Sequence, residues 1–120
     1  MTEPLILVVD DDQGAQRAVM QVLRREHYAV EGASSAREAL NRLGEKSFDL
    51  LVTDIRMERM DGMELLREVK GRWPGLPVIV MTAFASIDTA IRSIHEGAYD
   101  YLSKPYEIDD LRLKIGRAHV

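Results

Sequence analysis

Short apolar runs in this sequence end in charged or polar residues that could form a reactive pocket. Asp10 and Asp11 end the first run, Asp54 ends a later one, Thr82 closes the next, and Lys104 follows the last. Carboxylates are the ligands that hard divalent cations such as Mg²⁺ prefer. An ammonium group can hold a phosphoryl oxygen through a charge-assisted hydrogen bond. These residue types together predict phosphoryl chemistry supported by a metal ion.

None of these residues is informative alone. A single Asp after a strand is usually a turn former or a helix cap, and that is the role we assign to Asp12. Thr is a common strand residue, and Lys104-Pro105 is typical of a turn. Only the combination, with each residue at its own strand end and in this order, is specific.

Electrostatics indicates which cofactor such a pocket needs. Two carboxylates about 4 Å apart repel by about 4 kcal/mol at an effective dielectric constant near 20. The formal charges of three aspartates, one divalent cation and one lysine sum to zero. Because the neighbouring sequence offers oxygen ligands and no imidazole or thiolate, we expect Mg²⁺.

The elements that must position these residues alternate along the chain. Near-continuous apolar runs predict buried strands at Leu5–Asp10, Leu50–Asp54 and Val78–Thr82. A more polar run at Asp100–Ser103 predicts a fourth strand, and Ala29–Ala33 is a fifth candidate. Helical spacing between them predicts five helices, over Gln13–His27, from the Ser35 capping box to about Lys46, from an Asp61 cap to Trp73, from Ser86 or Ile87 to His95, and from about Ile108.

This alternation predicts an α/β fold with a doubly wound parallel sheet and helices on both faces. Ligands bind such sheets at the carboxyl ends of the strands, where the strand order reverses. In the order 2-1-3-4-5 that reversal lies between the first and third strands. Asp10, Asp11 and Asp54 should therefore meet in one pocket.

Composition narrows the class of protein. The 120 residues are 46% hydrophobic and 30% charged, which suits one domain. The absence of Cys excludes disulfide scaffolds and thiol nucleophiles and favours a reducing, cytoplasmic setting. A net charge of −4 argues against direct nucleic-acid binding, and the apolar runs are too short to span a membrane. The three histidines lie apart on predicted helices without ligand partners.

Several motifs together resemble the receiver (CheY-like) domain of two-component response regulators, over about Ile6 to Lys114. They are Val8-Val9-Asp10-Asp11, Thr53-Asp54-Ile55-Arg56-Met57, Met60-Asp61-Gly62, Met81-Thr82-Ala83 and Tyr101-Leu102-Ser103-Lys104-Pro105. The resemblance implies a flavodoxin-like fold. The stretches 54–57 and 97–105 further resemble NtrC-type receivers, which precede an ATPase module in enhancer-binding transcription activators. Residues 1–120 would then be one receiver domain, cut from the N-terminal part of a longer regulator.

The resemblance also implies a role for each site residue. Asp54 would accept a phosphoryl group from a histidine kinase. Asp11, Asp54 and the main-chain carbonyl of Arg56 would bind Mg²⁺, with Asp10 assisting through water. Lys104 and Thr82 would hold phosphoryl oxygens, and Tyr101 would turn inward when Thr82 moves. Phosphorylation would then alter the surface of the fourth helix, fifth strand and fifth helix, which would contact an output module or a second copy.

Two other functions compete with a phosphorylation switch. A Mg²⁺-dependent aspartyl-nucleophile phosphohydrolase would have two Asp separated by one residue after the first strand, whereas Asp10 and Asp11 are adjacent. A flavodoxin-like cofactor carrier would need a loop that accepts phosphate, and three consecutive aspartates would repel it. One departure from the receiver pattern is Glu58-Arg59, where a Pro usually follows the Met. We expect it to loosen this loop and to affect metal affinity and the lifetime of the phosphoryl group.

Overall fold

The computed structural model describes residues 3–55, 62–83, 87–104 and 106–119. Within them five strands alternate with five helices. In chain order these are β1 Leu5–Val9, α1 Gln13–Arg25, β2 Ala29–Ala33, α2 Ala36–Glu45, β3 Leu50–Asp54, α3 Gly62–Arg72, β4 Val78–Ala83, α4 Ile87–His95, β5 Asp100–Lys104 and α5 Ile108–His119. In this part of the chain no helix has the length and apolar character that a membrane crossing requires.

The strands form one parallel sheet in the order β2-β1-β3-β4-β5, which confirms the predicted topology. Val9 at the end of β1 pairs with Ala33 of β2 on one side and with Thr53 of β3 on the other. The strand order therefore reverses between β1 and β3. This register places the residues after Val9 beside the end of β3.

A separate core covers each face of the sheet. Because successive strand residues point to opposite faces, Leu7 and Val9 lie in the core beneath α2 and α3, and Ile6 and Val8 lie in the core beneath α1 and α5. All four side chains are fully buried. Burial on both faces explains why the strands read as continuous apolar runs rather than as alternating ones.

Predicted caps fix two helix starts beside the site. Asp12 caps α1 by accepting a hydrogen bond from the backbone N–H of Ala15 at 3.1 Å. Ser35 caps α2 by accepting one from the N–H of Glu38, also at 3.1 Å. The Glu38 carboxylate reaches back to the N–H of Ser34, one residue earlier than the usual capping box. The Asp61 cap predicted for α3 lies outside the described residues.

Several predicted boundaries differ by one or two residues. The first strand ends at Val9, so Asp10 follows it, while β4 and β5 each extend one residue further than predicted. The first helix ends at Arg25 rather than His27, because His27 adopts a left-handed φ of 68° that no α-helix continues through. The prediction that His27 lies on a helix is therefore wrong. Helical spacing also predicts Ala18 on an apolar stripe of α1 with Val19, Val22 and Leu23, and in the structure Ala18 is exposed.

Candidate functional site

Three carboxylates meet at the carboxyl edge of the sheet. Asp10 follows β1 and is fully buried, Asp11 is exposed, and Asp54 ends β3 with 9% of its surface exposed. One carboxylate oxygen from each residue lies within 4.8 Å of the other two. The strand ends therefore bring together the three acidic side chains that the sequence placed at this edge.

Lys104 enters this cluster from the end of β5, on the far side of β4. Its Nζ donates to Oδ2 of Asp10 at 3.0 Å and to Oδ2 of Asp54 at 3.2 Å. The ammonium group thus bridges the two buried carboxylates and leaves Asp11 at the solvent side. Three carboxylates and one ammonium carry a formal charge of −2, which equals the charge that one divalent cation would neutralise.

Burial and charge pairing act in opposite directions on the pKa values of Asp10 and Lys104. Desolvation raises the pKa of Asp10, although the N–H of Asp12 at 2.9 Å and the Lys104 ammonium oppose the shift. Burial alone would lower the pKa of Lys104, but the hydrogen bonds and charges of Asp10 and Asp54 outweigh it and raise that pKa. Lys104 therefore stays a cation at neutral pH.

A close backbone approach brings α3 against the end of β3. The N–H of Gly62 donates to the carbonyl of Ile55 at 2.6 Å. A Cβ at position 62 would lie 2.6 Å from Cα of Ile55 and closer still to the carbonyl oxygen of Asp54. Glycine is therefore required where α3 begins, and the helix start packs directly against the backbone of Asp54.

The remaining predicted site residues lie at the edge of this cluster or outside the described residues. Thr82 lies in β4, where its backbone pairs with Ser103, and its side chain is not among those described. Arg56 and the Glu58-Arg59 loop also fall outside the described residues. Tyr101 lies in β5, half-buried against the α2 and α3 core. The Lys114 ammonium lies 5.1 Å from its ring centroid and donates to its carbonyl at 2.7 Å.

Sequence reasoning missed Tyr106, which packs against the α1 and α5 core. Burial raises the pKa of its hydroxyl, and the charges of Lys104 and Asp10 also act on it. Its phenol therefore stays neutral beside the cluster. The signal that could have found it is an aromatic residue two positions after the strand-end lysine.

The donor set fits Mg²⁺. Every candidate ligand in the cluster is a carboxylate oxygen, the ligand type that Mg²⁺ selects. The exposed Asp11 gives an ion access from solvent, and buried Asp10 and Asp54 provide negative charge behind it. A hard cation that keeps several waters suits a site that is open on one side.

Comparison with known proteins defines the family. The model of the response regulator receiver domain matches residues 6–116, so the chain belongs to this family. It is 45% identical over 113 residues to the transcriptional regulatory protein ZraR of Klebsiella oxytoca, covering 94% of this chain and 26% of that protein. It is 38% identical over 118 residues to the DNA-binding transcriptional regulator NtrC of Escherichia coli K12, covering 98% and 25%.

Solved structures agree with this assignment. The receiver domain of NtrX from Brucella abortus superimposes with a TM-score of 0.90 at 36% identity, covering 94% of this chain and 96% of that one. The beryllofluoride-activated NtrC4 receiver domain dimer gives 0.91 at 34% identity, covering 96% and 95%. The chain is a phosphorylation-activated signalling domain similar to the receivers of NtrC and ZraR. It spans about a quarter of the length of the curated relatives it matches.

Proposed function

We propose that Asp54 is the phosphoacceptor and that its phosphodonor is a histidine kinase. The observation that supports this proposal is the Lys104 ammonium, held 3.2 Å from Asp54 and 3.0 Å from Asp10 at the carboxyl edge of the sheet. A carboxylate oxygen of Asp54 forms the bond to phosphorus as the phosphorus–nitrogen bond of the phosphohistidine breaks. Asp54 lies at the end of β3 beside the exposed Asp11, and a donor would approach from the side of Asp11.

Mg²⁺ would be held by Asp11 and Asp54 together with the main-chain carbonyl of Arg56, with Asp10 assisting through water. When bound, the ion would neutralise charge on the phosphoryl oxygens during transfer. Lys104 would exchange its hydrogen bond with Asp54 for one with a phosphoryl oxygen. Because Asp10 is fully buried and also bonds Lys104, that ammonium would remain anchored throughout.

Thr82 and Tyr101 would carry the switch. Thr82 would bond a further phosphoryl oxygen, and Tyr101, three residues before Lys104 on β5, would turn inward in response. The domain would catalyse only its own phosphorylation and dephosphorylation. In a first-strand aspartyl phosphohydrolase Asp10 would be the nucleophile, and here it is fully buried with both oxygens engaged.

The surface of α4, β5 and α5 would transmit the signal. In the described residues the exposed large apolar side chains all lie between Ile91 and Leu113, on α4, the α4–β5 turn and the start and middle of α5. The activated NtrC4 receiver is a dimer. We infer that this surface self-associates or contacts an output module that regulates transcription in the cytoplasm, and that the domain itself binds neither nucleic acid nor membrane.

Intact-mass analysis after incubation with Mg²⁺ and a small acyl-phosphate donor tests the acceptor. The parent chain should gain one phosphoryl group, and Asp54→Asn should gain none. Asp49→Asn is the matched control, because Asp49 is an exposed aspartate that precedes β3, at the opposite edge of the sheet. Equal labelling of the parent and Asp54→Asn would contradict the assignment.

A further inference from the structure

Gln16 joins three elements beside the acidic cluster. It lies in α1, half-buried, and its carboxamide Nε2 donates to the carbonyl of Ala33 at 2.8 Å. The same nitrogen lies 3.5 Å from the carbonyl of Val8. One side chain of α1 therefore contacts the carboxyl ends of both β1 and β2, next to the point where β1 leads into Asp10.

The Ala33 carbonyl has a second donor, the backbone N–H of Asp10 at 3.1 Å. Gln16 and the main chain of Asp10 thus share one acceptor. A carbonyl with two lone pairs can accept both bonds. Gln16 therefore bonds the same carbonyl that accepts from the backbone of Asp10.

β2 leaves room for this side chain at Gly32, which pairs with Val8 in the sheet. A Cβ at position 32 would lie 2.8 Å from both Cδ and Oε1 of Gln16. Real Cβ atoms do not approach that closely, so any other residue at position 32 would displace the carboxamide. Gln16 and Gly32 therefore form a matched pair.

A shift of the Asp10 backbone would disturb the hydrogen bonds of its carboxylate. This carboxylate is fully buried, with Oδ1 accepting from the N–H of Asp12 at 2.9 Å and Oδ2 accepting from Lys104. Lys104 in turn bonds Asp54. A displacement at Asp10 would therefore pass through Lys104 to the proposed acceptor.

We propose that Gln16 is a positioning residue for the Mg²⁺ and phosphoryl site. It fixes the Ala33 carbonyl, and through that carbonyl the backbone and carboxylate of Asp10. This role rests on the proposed function of the acidic cluster. The bond to Ala33 itself is a property of the metal-free chain and can be tested separately.

Gln16→Met removes the carboxamide but keeps the length and helix propensity of the side chain. Gln21→Met is the matched control, since Gln21 is an exposed residue of the same helix. In metal-free protein, amide hydrogen exchange should accelerate at Asp10 in Gln16→Met and not in Gln21→Met. Loss of a group that orients a ligand typically weakens metal binding 10–100-fold. Gln16 acts on Asp10 through two further hydrogen bonds, so the Mg²⁺ Kd should rise by less, about threefold to tenfold.

Gly32→Ala provides an independent test, because it displaces Gln16 without removing it. It should raise the Mg²⁺ Kd in the parent, whereas in a Gln16→Ala background the same change should have little further effect. Unchanged Asp10 exchange and Mg²⁺ Kd in Gln16→Met would overturn the proposal. So would exchange that accelerates equally throughout β1 and β3, which indicates a packing role. If the parent binds no Mg²⁺, the proposed function fails, and selective exchange at Asp10 still decides the role of Gln16.

Discussion

The Lys104 ammonium stabilises the buried, charged carboxylate of Asp10, which it contacts at 3.0 Å. The Asp10 carboxylate is fully buried, while the Lys104 side chain is 21% exposed. Lys104→Met would leave the carboxylate without its cationic partner, and breaking a buried pair from one side costs about 3–5 kcal/mol. We expect a loss of about 3 kcal/mol in the free energy of unfolding, measured by urea denaturation near neutral pH.

Lys46→Met is the control for this prediction. Lys46 also pairs with a carboxylate, that of Glu31 at 2.6 Å, but half of its side chain is exposed. Exposed pairs contribute about 0–1 kcal/mol, so this variant should lose much less stability. Equal losses in the two variants would indicate that Asp10 and Lys104 do not form a desolvated pair. In the Asp10→Asn background, Lys104→Met should cost less, since only the bond to Asp54 is then lost.

The sequence predicted the charged members of the site and missed two neutral residues beside it, Gln16 and Tyr106. Asp10, Asp54 and Lys104 could be found because each interrupts or follows an apolar run, and the topology of parallel sheets brings strand ends together. Gln16 could not be found, because its bond to Ala33 depends on how α1 packs across the sheet. Tyr106 likewise acquires its position only when β5 and α5 are assembled.

Helix α3 contains two glycines, Gly62 and Gly71, at which alanine should have opposite effects on stability. Gly62→Ala would force a Cβ into the backbone of Asp54 and Ile55, so we expect destabilisation of about 2 kcal/mol or more and slower phosphorylation. Gly71 is exposed in the same helix, and a Cβ at position 71 would have no neighbouring atom within 4 Å. Gly71→Ala should instead stabilise by about 0.5 kcal/mol, because Ala is the better helix former. Thermal denaturation of both variants checks the signs, and similar effects would contradict the close approach at Gly62.

The ion pairs that Glu31 of β2 forms with Arg42 of α2 and with Lys46 should make the free energy of unfolding depend on pH. Glu31 accepts from Lys46 at 2.6 Å and from Arg42 at 2.9 Å, and these bonds, that of Lys46 first, lower the pKa of its carboxyl from 4.5. A carboxyl with a lowered pKa stabilises the fold above its unfolded pKa, and that contribution disappears as the pH falls through the folded pKa.

Glu31→Gln should therefore lose about 0.5–1 kcal/mol near neutral pH, since the ion pair is partly exposed. Its difference from the parent should shrink as the pH falls below 4.5. Glu45→Gln, at an exposed position of α2, serves as the control. Urea denaturation across this range measures the effect, and a difference that grows in acid would show that the assigned pairing is incorrect.

The types of the elements could be predicted because the apolar runs and helix caps in the sequence agree with the burial seen in the structure. The continuous apolar runs correspond to strands covered on both faces, and Asp12 and Ser35 cap the helices that they were predicted to cap. Boundaries were less predictable. The end of α1 is set by the left-handed turn at His27, a residue whose type does not favour that conformation as glycine would.

In the molecule as a whole, alternating strands and helices with right-handed connections predict a parallel sheet covered on both faces, and the order 2-1-3-4-5 that was assumed for it is the order observed. The same reasoning does not tell which outer surface binds a partner. That depends on which side chains stay exposed after packing. Ile91 and Ile94 remain 49% and 43% exposed on α4, and Leu113 remains 52% exposed on α5. The Tyr99 hydroxyl donates to the carbonyl of Arg117, which ties the α4–β5 turn to α5.

Phosphorylation selects between two states of a domain, so a surface that changes with the state should alter association. With Mg²⁺ and an acyl-phosphate donor, we expect either the mass of the parent in solution to rise or the amide shifts of α4 to change. Ile94→Lys should take up the phosphoryl group normally yet associate less, because a charge replaces an exposed apolar side chain. Gln21→Lys, which adds the same charge to α1, should behave as the parent. Sedimentation measures association, and parallel intact-mass analysis measures phosphorylation. A phosphorylated parent whose mass in solution and α4 amide shifts are both unchanged would show that this surface does not transmit the signal.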